Sequence, residues 1–106
     1  MRKPIILIFG IDDILRQNLK RRLTNQGFVV NEAPEHGSVS GLCNSMDPDL
    51  VIVCSTGKSL GDKLGIIKNI RRFDKIIPIV LITWFSSESR AIAALRAGAD
   101  DYVKLP

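Results

Sequence analysis

The stretch Ala94 to Pro106, "ALRAGADDYVKLP", carries a helix end, a glycine, a polar turn and a strand in quick succession. Gly98 closes the helix before it, because glycine accepts the left-handed backbone of a helix C-terminus. "DYVKL", from Asp101, then reads as a short strand. So short a connection makes this pair the second half of a strand–helix–strand unit.

The chain before it repeats that unit. Ile76 to Thr83 holds the apolar run "PIVLIT", a strand, after which Ser86 or Ser87 can cap a helix with Ile92 and Leu95 on its apolar side. Leu60, Leu64, Ile67 and Ile70 mark another helix. Pro48 leads into the strand Leu50 to Val53, and the loop Ser55 to Ser59 follows it. A weaker helix, interrupted by Gly41, lies between Gly37 and Met46. Ile5 to Phe9 is unbroken and apolar, as expected of a strand covered on both faces. Asp12 and Asp13 begin a helix whose stripe is Ile11, Leu15, Leu19 and Leu23 and whose end is Gly27; Phe28 to Val30 is the next strand. The order βαβαβαβαβ with short right-handed crossovers is a doubly wound parallel sheet of α/β class. Such sheets place their sites at the carboxyl ends of the strands. Here those ends are Phe9-Gly10-Ile11, Cys54-Ser55, Thr83-Trp84 and Leu105-Pro106.

Composition excludes several classes. The 106 residues make one small domain, and 45% hydrophobic residues suffice for one core. No apolar run approaches the ~20 residues of a membrane span. Asp12 and Asp13 follow the first apolar stretch where a signal peptide would have small residues, so a cytoplasmic protein is expected. Cys43 and Cys54 lack metal-ligand spacing. The net charge of +4 permits an anionic partner without indicating one. The basic run Arg16, Lys20, Arg21 and Arg22 reads as a solvated helix face, and direct nucleic-acid binding is not expected.

Gly57-Lys58-Ser59 imitates the tail of a nucleotide-binding P-loop. The full motif needs a glycine at position 52, which is Ile52, and the phosphate-cradling turn is missing.

"PDLVIV", "PIVLIT" and "ALRAGADDYVKLP" together resemble the receiver domains of bacterial two-component response regulators, over Ile5 to Pro106. The resemblance implies a flavodoxin-like strand order 2-1-3-4-5. It also implies phosphoryl transfer from a histidine kinase to an aspartate, assisted by Mg²⁺. By position, the phosphoacceptor falls on Cys54 and the acidic pair on Gly10 and Ile11. The phosphate-binding lysine falls on Leu105, and the hydroxyl is kept as Thr83. Thr83 and Tyr102 match the family's switching pair of hydroxyl and aromatic. Trp84 stands where a small residue is usual, either plugging the vacant pocket or anchoring an interface.

A thiol is no hard oxygen donor, and its ordinary pKa of ~8.5 leaves it mostly neutral at pH 7. The expectation is therefore a pseudo-receiver: not an enzyme, without cofactor, acting by protein–protein contact. Its partner would be its own C-terminal output domain or another protein, a second copy included. A first alternative is a conventional phospho-accepting receiver, with Asp12 and Asp13 holding Mg²⁺ by a gapped alignment and Lys104 standing in for the lysine. A second is a thiol redox sensor through Cys54, although a cysteine ending a buried strand is ordinarily an apolar filler. The family's fifth helix has no counterpart before Pro106. The chain is thus expected to be the N-terminal receiver-like domain, 1–106, of a longer regulator of transcription, with the helix supplied by further chain or by another subunit.

Overall fold

A computed structural model describes residues 2–10, 13–33, 39–55, 60–84 and 87–104, apart from the side chains of Asp13, Ser40, Leu60 and Asp62. Its elements are β1 (Ile5–Phe9), α1 (Asp13–Asn25), β2 (Val29–Glu32), α2 (Val39–Met46), β3 (Leu50–Ser55), α3 (Leu60–Phe73), β4 (Ile79–Thr83), α4 (Glu88–Ala97) and β5 (Asp101–Lys104). The strands pair in parallel in the order β2-β1-β3-β4-β5.

Alternation along the strands builds two apolar layers. Leu7, Phe9, Val51, Val53, Ile79 and Leu81 meet Ile67 and Ile70 of α3 and Ala94 and Ala97 of α4 on one face. Ile6, Ile8, Ile52, Cys54 and Ile82 meet Leu15 of α1 on the other, with Leu19 and Leu23 packed alongside. The unbroken apolar runs of β1 and β3 follow from this double covering, which leaves Leu7, Ile8, Val51 and Val53 with no exposed surface. Burying each such side chain contributes about 1.5–3 kcal/mol.

Glycine ends two helices by one hydrogen-bond pattern. Gly27 (φ 97°) donates to Thr24 O while Phe28 N–H reaches back to Leu23 O. Gly98 (φ 121°) donates to Leu95 O while Ala99 N–H reaches Ala94 O. Both are the paired closure that satisfies the last carbonyls of a helix and requires positive φ. At the start of α4, the Ser87 hydroxyl accepts the Arg90 N–H, so one of the two candidate caps is placed; Ser86 lies outside the described residues.

Four expectations need correction. β2 runs Val29–Glu32, one residue later at its start, because its ladder to β1 begins at Val29 opposite Ile5. β3 continues through Cys54 and Ser55, held by register partners Ile82 and Thr83 on β4. β4 begins at Ile79, leaving Ile76 90% exposed in the preceding turn. Most consequentially, α4 packs through Ala94 and Ala97, and the expected core residues Ile92 and Leu95 are 41% and 50% exposed. The helix turns its small alanines to the sheet.

Candidate functional site at the carboxyl ends of the strands

The parallel order brings the ends of β1, β3, β4 and β5 side by side. Cys54 lies 2% exposed and packs in the layer on the α1 face. Ser55 and Thr83, opposite one another in the β3–β4 ladder, are each 1% exposed and face the other way. Thr83 is thus brought beside the end of β3, and Trp84, next in sequence, is 40% exposed.

Gly10 follows directly on β1. A Cβ placed on it would lie 2.8 Å from the Cys54 Cβ, closer than side chains approach one another. The ends of β1 and β3 are therefore packed closely enough that a side chain at position 10 would force them to shift.

The sheet also decides the geometry of Lys104. Its ladder partner is Thr83, while Val103 pairs with Ile82, the partner of Cys54. Side chains of registered partners share a face. Lys104 therefore lies on the face opposite Cys54, and its side chain is exposed. Tyr102, opposite Leu81, shares Thr83's face and packs partly against the larger core layer. Ile11, Asp12 and Leu105 lie outside the described residues, as does the loop Thr56 to Ser59; Asp13 opens α1.

Two residues near these strand ends escaped the reading of the sequence. Arg16, expected on a solvated basic face, has a side chain only 22% exposed. Its Nη1 donates to Gly10 O at 3.0 Å, and its Nε lies 3.5 Å from Glu32 Oε2 at the end of β2. Lys20 approaches the other Glu32 oxygen at 3.7 Å. The available signal was the spacing of Arg16 and Lys20, one turn apart and facing a strand that ends in an acid. Lys63, in the first turn of α3, is 7% exposed, and a lysine within an otherwise amphipathic stretch gave no sign of burial.

Mg²⁺ requires hard oxygen donors in near-octahedral array. Gly10 supplies no side chain and Cys54 supplies sulfur, so these residues do not fit the ion. Among the described residues no group of three or more His, Cys, Asp or Glu is disposed to hold a metal. None of the described helices is long and apolar enough to cross a membrane.

A five-stranded parallel sheet in this order, with its strand ends gathered at one pole, defines a flavodoxin-like α/β domain. The response regulator receiver domain family matches residues 6–106, and the chain belongs to that family. It is 32% identical over 103 residues to the transcriptional regulatory protein AfsQ1 of Streptomyces coelicolor, covering 97% of this chain and 45% of that protein. The transcriptional regulatory protein PhoP of Escherichia coli K12 is 32% identical over 101 residues, with 95% and 45% covered. The chain thus spans under half the length of these relatives. Among solved structures, a response regulator from Thermotoga maritima superposes with a TM-score of 0.84 at 22% identity, covering 99% of this chain and 87% of that one. A two-component response regulator from Clostridium difficile does so with 0.83 at 28% identity, covering 98% and 84%.

Proposed function

We propose that this receiver domain signals without accepting a phosphoryl group, by pressing on an attached output domain or on another protein. The observation that carries this reading is the contact between Gly10 and Cys54. The nucleophile's position holds a buried thiol, and position 10, where a Cβ would crowd the Cβ of Cys54 unless the strand ends shifted, carries no acidic side chain. Losing the acceptor removes the reaction, and a thiol beside a bare glycine offers no carboxylate to the metal that would assist it. Lys104, on the wrong face, offers no substitute for the lysine at Leu105. The domain is then not an enzyme and needs no Mg²⁺. Receiver relatives named as transcriptional regulators, twice as long as this chain, support an output domain acting on transcription in the cytoplasm. Trp84 and Val103, 40% and 37% exposed near the strand ends, are apolar surface suited to contact, including contact with a second copy.

Acetyl phosphate with Mg²⁺, followed by intact-mass measurement, tests the reading. No added phosphoryl group is expected. A hydroxylamine-labile gain of one phosphoryl group would sink it.

A further inference from the structure

Away from the strand ends, α3 and α4 leave an open groove of about 530 Å³ between them. Leu64, Ile92 and Ala93 supply its apolar lining, and Lys68 and Arg96 supply positive charge. Among the described residues no acidic side chain lines it, and neither cation has an ion-pair partner. Ile92 is a large apolar side chain left 41% exposed, the consequence of α4 packing through its alanines.

This pairing of features restricts what fits. A small anion would satisfy Lys68 and Arg96 and leave Ile92 in water. A bilayer is too flat to enter a groove between two helices. The ridge of a third helix enters such a groove by the packing that joins helices generally. Its apolar anchors would recur at i, i+3 or i+4 and i+7, and its flanks would need to be negative.

We propose that the α3–α4 groove docks an amphipathic helix of a partner protein, its apolar stripe on Leu64, Ile92 and Ala93 and its Asp or Glu flanks against Lys68 and Arg96. The contact covers about two turns, so it belongs with small, transient interfaces. This deepens the contact-based reading above by naming one class of partner. Its test uses no phosphoryl chemistry, so the two can fail separately.

The probe is a helix-forming peptide of about five turns with a Leu/Ile stripe flanked by Glu, set against a twin flanked by Lys. Titration into the isotopically labelled chain is followed by amide chemical shifts. The Glu-flanked peptide is expected to shift residues of α3 and α4 and the Lys-flanked one to leave them unmoved. Lys68→Glu with Arg96→Glu, two exposed positions, should weaken the Glu-flanked peptide by about tenfold or more and admit the Lys-flanked one. A thermal melt of the double variant confirms that it is folded. The proposal is overturned by an absence of binding up to about 1 mM. It is equally overturned by shifts centred on Trp84 and β5, by equal binding of the two peptides, or by α3–α4 shifts that follow protein concentration alone and so reveal a second copy in the groove.

Discussion

The two ends of the sheet differ in what is packed between their strands. At the amino ends of the strands, polar side chains tie the chain together. Arg71 donates from Nε to Gly98 O at 2.8 Å, and from Nη1 to Ile77 O at 2.7 Å and Asp74 O at 3.2 Å. Its Nη2 meets Asp100 Oδ2 at 2.7 Å, and the same oxygen accepts the Ile79 N–H at the start of β4. Asp49 does likewise for β1, accepting the Ile5 N–H at 2.8 Å and an Arg2 guanidinium at 3.0 Å. At the carboxyl ends a glycine packs on a buried cysteine, and Arg16 ties that glycine's carbonyl to α1 at 3.0 Å. Gly98 and Asp100, the core of the sequence signature, belong to the first end. Membership of the family is thus announced by residues that hold the scaffold, and it carries no guarantee of a working site.

The contrast can be broken most easily at Arg71. Its guanidinium, 17% exposed, satisfies three carbonyls and one carboxylate. Charged hydrogen bonds contribute about 1.5–3 kcal/mol each, with strong non-additivity, so Arg71→Ala should cost about 3–5 kcal/mol in denaturant unfolding. Cys54→Ala, at the other end, deletes one sulfur and should cost about 1 kcal/mol. Equal losses would show that the carboxyl end is no less knitted than the amino end.

A second measurement probes the closure itself. Gly10→Ala places a methyl group against the Cys54 Cβ and should cost about 1–3 kcal/mol by overpacking. In a Cys54→Gly background that penalty should shrink, giving a favourable coupling of about 1 kcal/mol in a double-mutant cycle. Purely additive losses would mean that the strand ends have room to part, and would reopen the site to an acidic residue.

A smaller effect concerns pH. Backbone N–H groups of Ile77 and Ile76 hold the Asp74 carboxyl below the usual carboxylate range, with Arg71 adding to the shift. A folded pKa below the unfolded one stabilises at higher pH, and that stability is lost as pH falls through the folded value. The wild-type unfolding midpoint should therefore fall as pH drops below about 4, and fall less steeply in Asp74→Asn. Parallel slopes for the two proteins would remove Asp74 from the account.

The smallest expected signal is chemical. Neither Cys43 nor Cys54 forms a disulfide among the described residues, both are buried, and burial together with the Asp74 charge pushes the Cys43 thiol up. A thiol-reactive dye at neutral pH should label neither until the chain is unfolded. Rapid labelling of Cys54 in the native protein would favour the redox reading and weaken the picture of a sealed strand end.

Sequence by itself determined the order of the elements, the parallel sheet and the positions at its carboxyl ends. Those follow from local regularities: apolar runs, helical spacing, and Gly27 and Gly98 at helix ends. It also showed which groups stand at those ends, a thiol at Cys54 and no side chain at Gly10. Tertiary structure decided what those residues do to one another. That Gly10 abuts Cys54, that Arg16 turns toward Gly10 O, and that Ile92 and Leu95 face water each depend on distances between segments far apart in the chain or on the rotation of a helix about its axis. An amphipathic stripe specifies that a helix packs. Which of two adjacent stripes touches the sheet is settled by size complementarity at the contact, and for α4 the buried side chains are the alanines.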